Sequence, residues 1–258
     1  MSKNFELLLL AEQDAALSDP STTVRPERLW SSPSSATAAI GNLSDIDEYS
    51  QEQVSTLVRH LFLAPGGGVH AVALTAVERG NGSSWMTVQC ARAMAAQMSG
   101  KICVIDANLH NPSLHKYFSV INECGLNDAL SQTDINKNMT DFVCPVAFTS
   151  NLSLMTCGSV SGMKRGVLPS EAFASLLKEL KSSFDYLIID TPPMSLSSDA
   201  LVVGKAADGI ALVIAEQDTR EERARHALQE LTQANVRVLG AVLNKRTFPI
   251  PQKIYDKL

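Results

Sequence analysis

One short run of small and polar residues has the composition of a turn that binds phosphate: Gly80-Asn81-Gly82-Ser83-Ser84-Trp85. Glycine tolerates positive φ and close approach of the backbone, so Gly80 and Gly82 would let consecutive N–H groups surround phosphate oxygens. Ser84 could place its hydroxyl on Mg²⁺, and Ser83 could donate one neutral hydrogen bond. The run contains no lysine to neutralise phosphate charge. An ordinary strand-to-helix turn without a ligand is the alternative that this run leaves open.

The residues on either side of the turn predict a strand, a helix and a second strand. Residues 69–75 and 101–106 are apolar runs typical of buried strands, and residues 84–98 carry apolar side chains on one helical face. This order is a β-α-β unit in which the turn lies at the start of the helix. Because the N-terminus of a helix attracts anions, the unit favours phosphate binding at the turn.

Two predicted strands end on an aspartate, Asp106 after VI and Asp190 in FDYLIID. In an open parallel sheet, ligands bind beyond the carboxyl ends of the strands, so both aspartates and the turn are expected in one crevice. Carboxylates beside a phosphate loop suit a Mg²⁺–nucleotide site. Ser84, Asp106 and Asp190 are therefore the candidate metal ligands, and Asp106 is the candidate catalytic base of an active enzyme.

The rest of the chain continues the alternation of strands and helices. The other predicted strands are residues 152–156, 184–190, 209–216 and 236–244. The other predicted helices are residues 45–63, 170–182, 198–205 and 219–233, and residues 109–149 are expected to hold short helices and a long loop. Thr219 and Glu222 have the spacing of a capping box. We predict an α/β fold with a doubly wound, mostly parallel sheet and helices on both faces, as in P-loop NTPases.

Composition divides the chain into three parts. Residues 1–44 are predicted to be a flexible extension, because residues 18–44 are rich in Ser, Thr, Pro and Ala. Residues 1–17 can form a short helix, which would either pack on its own domain or dock on a partner or a membrane surface. Residues 45–245 form the predicted NTPase-like domain, and residues 246–258 form a C-terminal tail.

Charge, hydropathy and cysteine content limit the classes of function. The formal charge of −5 gives no electrostatic reason to expect nucleic acid binding. No apolar run approaches the roughly 20 residues that span a bilayer. The chain has five cysteines, none in a CxxC pair, and no signal peptide, which favours the reducing cytoplasm. We therefore expect a cytoplasmic protein.

With these motifs the sequence resembles the cytoplasmic domain of bacterial tyrosine kinases (BY-kinases), deviant P-loop ATPases related to the Min and Par proteins. The resemblance covers about residues 45–245. The Walker B motif of the family, DYVIIDTPP, corresponds to residues 185–193, DYLIIDTPP. Its Walker A loop, GEGKST, corresponds to GNGSSW, and its Walker A′ motif, ID-x-D-x-R, corresponds to residues 105–110, IDANLH. The resemblance implies binding of ATP or ADP with Mg²⁺ and a role in capsule or exopolysaccharide production.

The chain departs from the family at residues that carry its chemistry. Ser83 replaces the phosphate-binding lysine, and Trp85 replaces a small hydroxyl residue. Asn108 replaces the second aspartate of Walker A′, and His110 replaces its arginine. These departures make the Walker A loop degenerate and leave open whether any nucleotide binds.

Two features of assembly and of the substrate also differ. The ring-assembly pattern E-x-x-R-x-x-R has Ser55 and Val58 after Glu52, so that route to a homo-oligomer is in question. The tyrosine cluster that the family phosphorylates is absent, and the C-terminal tail carries only Tyr255.

Together these departures predict a catalytically impaired protein with a regulatory or scaffolding role. By the resemblance, its partner is an inner-membrane polysaccharide co-polymerase or chain-length protein. The alternative is a weak Mg-ATP-dependent ATPase or tyrosine autokinase, in which Lys164 or Arg165 could supply the missing cation. A Min/Par-like positioning protein is disfavoured, because no basic run for DNA or membrane is visible.

Overall fold

The fold is built on one eight-stranded sheet within the described residues, which in this computed structural model are 4–8, 48–63, 68–131, 138–158, 168–216 and 218–246. The strands are β1 Asn4–Leu8, β2 Ala71–Ala76, β3 Ile102–Asp106, β4 Cys144–Pro145, β5 Leu152–Met155, β6 Tyr186–Asp190, β7 Gly209–Ala215 and β8 Val238–Arg246. Their order is β1-β8-β7-β2-β6-β3-β5-β4. Only the two edge strands, β1 and β4, pair antiparallel with their neighbours.

The helices lie where the apolar periodicity predicts them, with ends shifted by a few residues. They are α1 Glu48–Phe62, α2 Ser83–Gln97, α3 Leu114–Phe118, α4 Leu126–Leu130, α5 Ser170–Ser183, α6 Asp199–Ala206 and α7 Glu221–Gln233, with a 3-10 helix at Met139–Phe142. No helix among the described residues is long and apolar enough to cross a membrane.

The core is divided by the sheet into two apolar layers. Alternate residues of a strand point to opposite faces, so Leu187 and Ile189 of β6 pack in one layer and Ile188 packs in the other. Helices α5, α6 and α7 cover the first layer, and α1 and α2 cover the second. Strands β2, β3 and the last four residues of β6 are buried, as expected of a parallel sheet with helices on both faces. The predicted fold class is confirmed.

The beginning of the chain differs from its prediction. Residues Asn4–Leu8 form a strand that pairs antiparallel with β8, and they are not part of the predicted helix. The exposed edge of a sheet presents unpaired N–H and C=O groups, and pairing there satisfies the backbone of the added segment. The predicted linker, the remainder of the predicted N-terminal helix and the tail from residue 247 lie outside the described residues.

Candidate nucleotide-binding site

The carboxyl ends of β3 and β6 bring the two predicted aspartates side by side. Asp106 and Asp190 are paired residues of these adjacent parallel strands, and both are completely buried. The sequence predicts this convergence, because neighbouring parallel strands end at the same edge of a sheet. The structure confirms that the two aspartates lie side by side at the carboxyl ends of β3 and β6.

Asp106 accepts hydrogen bonds from the backbone that leads into α3. Its Oδ2 accepts from the N–H groups of Ser113 and Leu114, each at 3.0 Å, and its Oδ1 accepts from Asn108 N–H at 3.3 Å. Burial raises the pKa of Asp106 to about 6, although these backbone hydrogen bonds act in the opposite direction. Asp106 therefore fixes the chain after β3 but holds its charge less readily than an exposed aspartate.

Asp190 has one satisfied and one unsatisfied oxygen. The Ser84 hydroxyl donates to Oδ2 at 2.5 Å, whereas Oδ1 has no hydrogen-bond partner among the described residues. Burial, and then the charge of Asp106, raise the pKa of Asp190 well above its usual range, while the hydroxyls of Ser83 and Ser84 favour the ionised form. A buried carboxylate oxygen without a partner beside a hydroxyl is a donor set that suits Mg²⁺.

The predicted phosphate loop has the backbone conformation that its glycines allow. Gly80 has φ +90° and Gly82 has φ +94°, and α2 begins directly afterwards at Ser83. A Cβ at Gly82 would lie 2.5 Å from Asn244 Nδ2, whereas a Cβ at Gly80 would meet nothing within 4 Å. Position 82 therefore requires glycine for both conformation and space.

Asn81 is an anchor of the loop and not part of its surface. Its side chain is buried, and its Oδ1 accepts from Glu78 N–H at 2.9 Å and from the Thr219 hydroxyl at 3.1 Å. The Asn244 amide donates to the Asn81 carbonyl at 2.7 Å. Asn81, one of the predicted nucleotide-binding residues, therefore stabilises the conformation of the loop.

The prediction of a capping box at Thr219 and Glu222 is wrong. Helix α7 begins at Glu221, with Arg220 at the N-cap position and no side-chain cap. Besides donating to Asn81, Thr219 Oγ1 accepts from Ala215 N–H at 3.2 Å. The hydroxyl is used between the end of β7 and the phosphate loop, so it does not cap the helix.

A crevice of about 470 Å³ lies beside the loop, and two residues of its wall contact the aspartates. Its walls include the predicted residues Gly80, Gly82, Ser83, Ser84 and Trp85, together with Ala76, Arg79, Asn108, His110, Asn111, Ser113, Tyr117, Pro193 and Leu196. The volume is in the range of small-molecule sites. Ser84 and Ser113 link the crevice to the buried carboxylates, since Ser84 contacts Asp190 and the backbone of Ser113 contacts Asp106.

The two residues that replace charged Walker A′ side chains are held by the protein itself. Asn108 is buried, and its Oδ1 accepts from Asn111 N–H at 3.2 Å. His110 Nε2 lies 3.6 Å from Oδ2 of Asp199, a buried aspartate in the first turn of α6. Lys164 and Arg165, the residues predicted as substitute cations, lie outside the described residues.

Arg79 and Tyr117 are a charged and an aromatic residue of this region that the sequence did not predict. Arg79 lines the crevice, and its place immediately before Gly80 is a local signal that could have found it. Tyr117 also lines the crevice, but it comes from α3 and no motif marks it. The pairing of Asp106 with α3 is what places this tyrosine there.

Comparison with protein families identifies the class to which this fold and crevice belong. Residues 69–256 match the ParA family model described as NUBPL iron-transfer P-loop NTPase. This match covers most of the chain and includes every strand of the sheet except β1. The chain therefore belongs to the ParA-like P-loop NTPases, and its homologues are bacterial tyrosine-protein kinases.

Three comparisons support this placement. The chain is 29% identical over 196 residues to the tyrosine-protein kinase YwqD of Bacillus subtilis (76% of this chain and 81% of the relative). It is 30% identical over 175 residues to the tyrosine-protein kinase CpsD of Streptococcus agalactiae (67% and 74%). The kinase domain of Escherichia coli tyrosine kinase ETK superposes with a TM-score of 0.67 at 27% identity, covering 78% of this chain and 79% of that domain.

Proposed function

We propose that this chain is a catalytically impaired BY-kinase-like protein that acts as a regulatory or scaffolding component of exopolysaccharide or capsule biosynthesis and export. The observation that carries the proposal is Ser83, which stands at the position of the Walker A lysine. Its side chain is 5% exposed and lies beside Asp190. A neutral, buried hydroxyl at this position brings no positive charge to a transferring phosphoryl group.

The missing charge matters because phosphoryl transfer depends on electrostatic stabilisation more than on covalent chemistry. Loss of one preorganised donor to a developing oxyanion typically lowers a rate by about 10²–10³. Here the missing donor would also be a cation.

The crevice retains groups for binding a nucleotide. Ser84 and Asp190 would hold Mg²⁺, with Asp106 close by, and the start of α2 would receive a phosphate. When bound, Mg²⁺ would neutralise charge on the β- and γ-phosphates. Ser84 would have to turn its hydroxyl from Asp190 toward the ion. We propose that ATP or ADP occupies this crevice as a ligand that sets the conformation of the protein.

The binding partner that we propose rests on the family resemblance. The relatives are tyrosine-protein kinases, and the resemblance implies an inner-membrane polysaccharide co-polymerase or chain-length protein as the binding partner. We propose that this partner recruits the chain to the cytoplasmic face of the inner membrane. A homo-oligomer would then need contacts other than the arginine pattern that Ser55 and Val58 replace.

A weak Mg-ATPase or tyrosine autokinase is the second candidate. It is favoured by one observation, the retained contact between Ser84 and Asp190 beside the unsatisfied Oδ1. In that case Asp106 would act as the base toward the attacking hydroxyl.

A phosphorylation assay separates the two candidates. The full chain is incubated with Mg²⁺ and γ-labelled ATP, with the kinase domain of E. coli ETK as the positive control, and label on tyrosine is measured. We expect no label on Tyr255 or any other tyrosine. Label that appears in the wild type and disappears in Asp106→Ala would support the autokinase and contradict the proposal.

A further inference from the structure

We infer that Arg79 is the phosphate-binding cation of this crevice, and that it binds the terminal phosphates of a nucleoside diphosphate or triphosphate. This inference rests on the proposed use of the crevice as a nucleotide site. In this assignment the loop has a cation for binding at position 79, before the first glycine, and still has none at position 83, after the second.

The location of Arg79 supports this assignment. It immediately precedes Gly80, has an exposed side chain and lines the crevice together with Gly82 and Ser84. It is the only lysine or arginine among the described residues that line the crevice. Any phosphate held there by the start of α2 would have Arg79 as its nearest permanent positive charge in the crevice wall.

The guanidinium of Arg79 is also available for a ligand. Within the described part of the chain it makes no hydrogen bond or ion pair. Its sequence neighbour Glu78 could have neutralised it, but the Glu78 carboxylate contacts the guanidinium of Arg223 in α7. A planar guanidinium binds phosphate through two parallel N–H donors, so an unpaired arginine at this place is well suited to an anion.

The loop beside Arg79 is fixed in a conformation that suits an anion. Gly80 and Gly82 both have positive φ, and the loop opens onto the 15-residue helix α2. Asn81 is held from two other elements, by Thr219 before α7 and by Asn244 in β8. A fixed run of N–H groups at a helix start attracts phosphate but carries only partial charge, so Arg79 would supply the full charge.

An independent observation indicates that the crevice is built for a charged ligand. Oδ1 of Asp190 is buried without a hydrogen-bond partner among the described residues, next to the Ser84 hydroxyl that lines the crevice. A bound ion is one explanation for a buried polar atom without a partner. The start of α2, the Asp190 oxygen and Arg79 together define a site for a metal-bound phosphate chain.

Calorimetric titration of the full chain with ADP and with ATP, in Mg²⁺, tests the inference. Arg79→Ala should weaken binding of both nucleotides by about tenfold or more, the effect of losing one charge-assisted hydrogen bond. Arg79→Lys should fall between wild type and alanine. Arg225→Ala is the matched control, because it removes the same charge from an exposed site on α7 and should leave affinity unchanged.

A rescue variant excludes a merely structural effect. Adding Ser83→Lys to Arg79→Ala returns a cation to the family position. The double variant should recover at least half of the binding free energy that Arg79→Ala loses. Equal affinities of Arg79→Ala and Arg225→Ala would overturn the assignment, and so would a wild type that binds neither nucleotide at millimolar concentration. Neither result would contradict the scaffolding role, which fails only if the wild type transfers phosphate.

Discussion

The two sides of the crevice contrast in how the protein holds them. On the carboxylate side, Asp106 and Asp190 are placed by the register of β3 and β6 in the middle of the sheet. On the loop side, the backbone is held by Asn81, Thr219 and Asn244, and residue 83 takes no part in those anchoring contacts. The loop can therefore keep its shape after losing the lysine.

This difference means that the backbone of the loop does not depend on residue 83, the position where the family carries its lysine. The aspartates that remain are unfavourable to the folded state at neutral pH, since both pKa values are raised by burial. The lysine that would have stabilised them is absent. Under the proposed function, catalysis is lost at one position while the fold and the conformation of the loop persist.

Replacing the loop glycines should have the largest effect on stability. Gly82→Ala combines a positive φ with a contact of 2.5 Å to Asn244 Nδ2, and we expect a loss of about 2–4 kcal/mol in the free energy of unfolding. Gly80→Ala is the matched control, with the same strain but open space, and should lose about 1 kcal/mol. Urea unfolding measures both. Equal losses would mean that the Asn244 anchor does not constrain the loop.

Restoring the family lysine should change affinity next most strongly. Ser83→Lys places a positive charge beside Asp190 and the start of α2, so binding of Mg-ADP should tighten by about 10- to 100-fold, or about 1.4–2.7 kcal/mol. Ser83→Met, similar in length but uncharged, should not tighten binding. If methionine and lysine have the same effect in calorimetry, charge is not what the loop lacks.

Removing one carboxylate should stabilise the protein without ligand at neutral pH. The folded-state pKa values of the two aspartates lie above their ordinary value of 3.8, so the folded protein binds protons more tightly than the unfolded chain. The favourable contribution of each group is complete below about pH 3.8; that of Asp106 is lost as pH rises through about 6, and that of Asp190 is lost as pH rises through its own raised pKa. Asp190→Asn should therefore be more stable than the wild type at pH 7.5, and the gain should fall toward pH 4.

The control for this prediction is Asp185→Asn. Asp185 is exposed and accepts a hydrogen bond from Lys101 N–H, so its substitution removes a carboxylate but no buried charge. Unfolding of the three proteins is followed without Mg²⁺ between pH 4 and 7.5. A stability difference between Asp190→Asn and wild type that does not change with pH would contradict the raised pKa values.

The smallest effect is expected at Thr219, the loop anchor that lies before α7. Thr219→Val removes the hydroxyl that joins Ala215 N–H to Asn81 Oδ1 and should lose about 1 kcal/mol. Glu222→Ala, at the other position of the predicted capping box, should have little effect. Thermal unfolding compares the two variants, and a larger loss at Glu222 would show that the helix cap matters more than the loop anchor.

The sequence predicts those parts of the fold and site that depend on local pattern. Apolar periodicity places β2, α2, β3 and β6, and the rule for carboxyl ends of parallel strands then places Asp106 and Asp190 together. The glycines likewise predict a tight turn, which positive φ at Gly80 and Gly82 confirms. These predictions need only local sequence pattern and the rule for the carboxyl ends of parallel strands.

The errors concern contacts between residues far apart in the chain. Residues Asn4–Leu8 pair with β8 more than 230 residues later, so their helical pattern gave no warning of a strand. Thr219 fits a capping box locally, but its hydroxyl contacts Asn81, 138 residues away. Arg79 became a candidate only when the crevice showed which charged side chains line it.

Steady-state release of phosphate from Mg-ATP tests the central claim most directly. The full-length wild type is compared with Asp190→Ala and Asp106→Ala, with circular dichroism confirming that all three are folded. The account predicts that the wild type releases phosphate no faster than either variant, because the site lacks its catalytic cation at position 83. Release well above both variants would contradict it and show that the altered loop still supports catalysis.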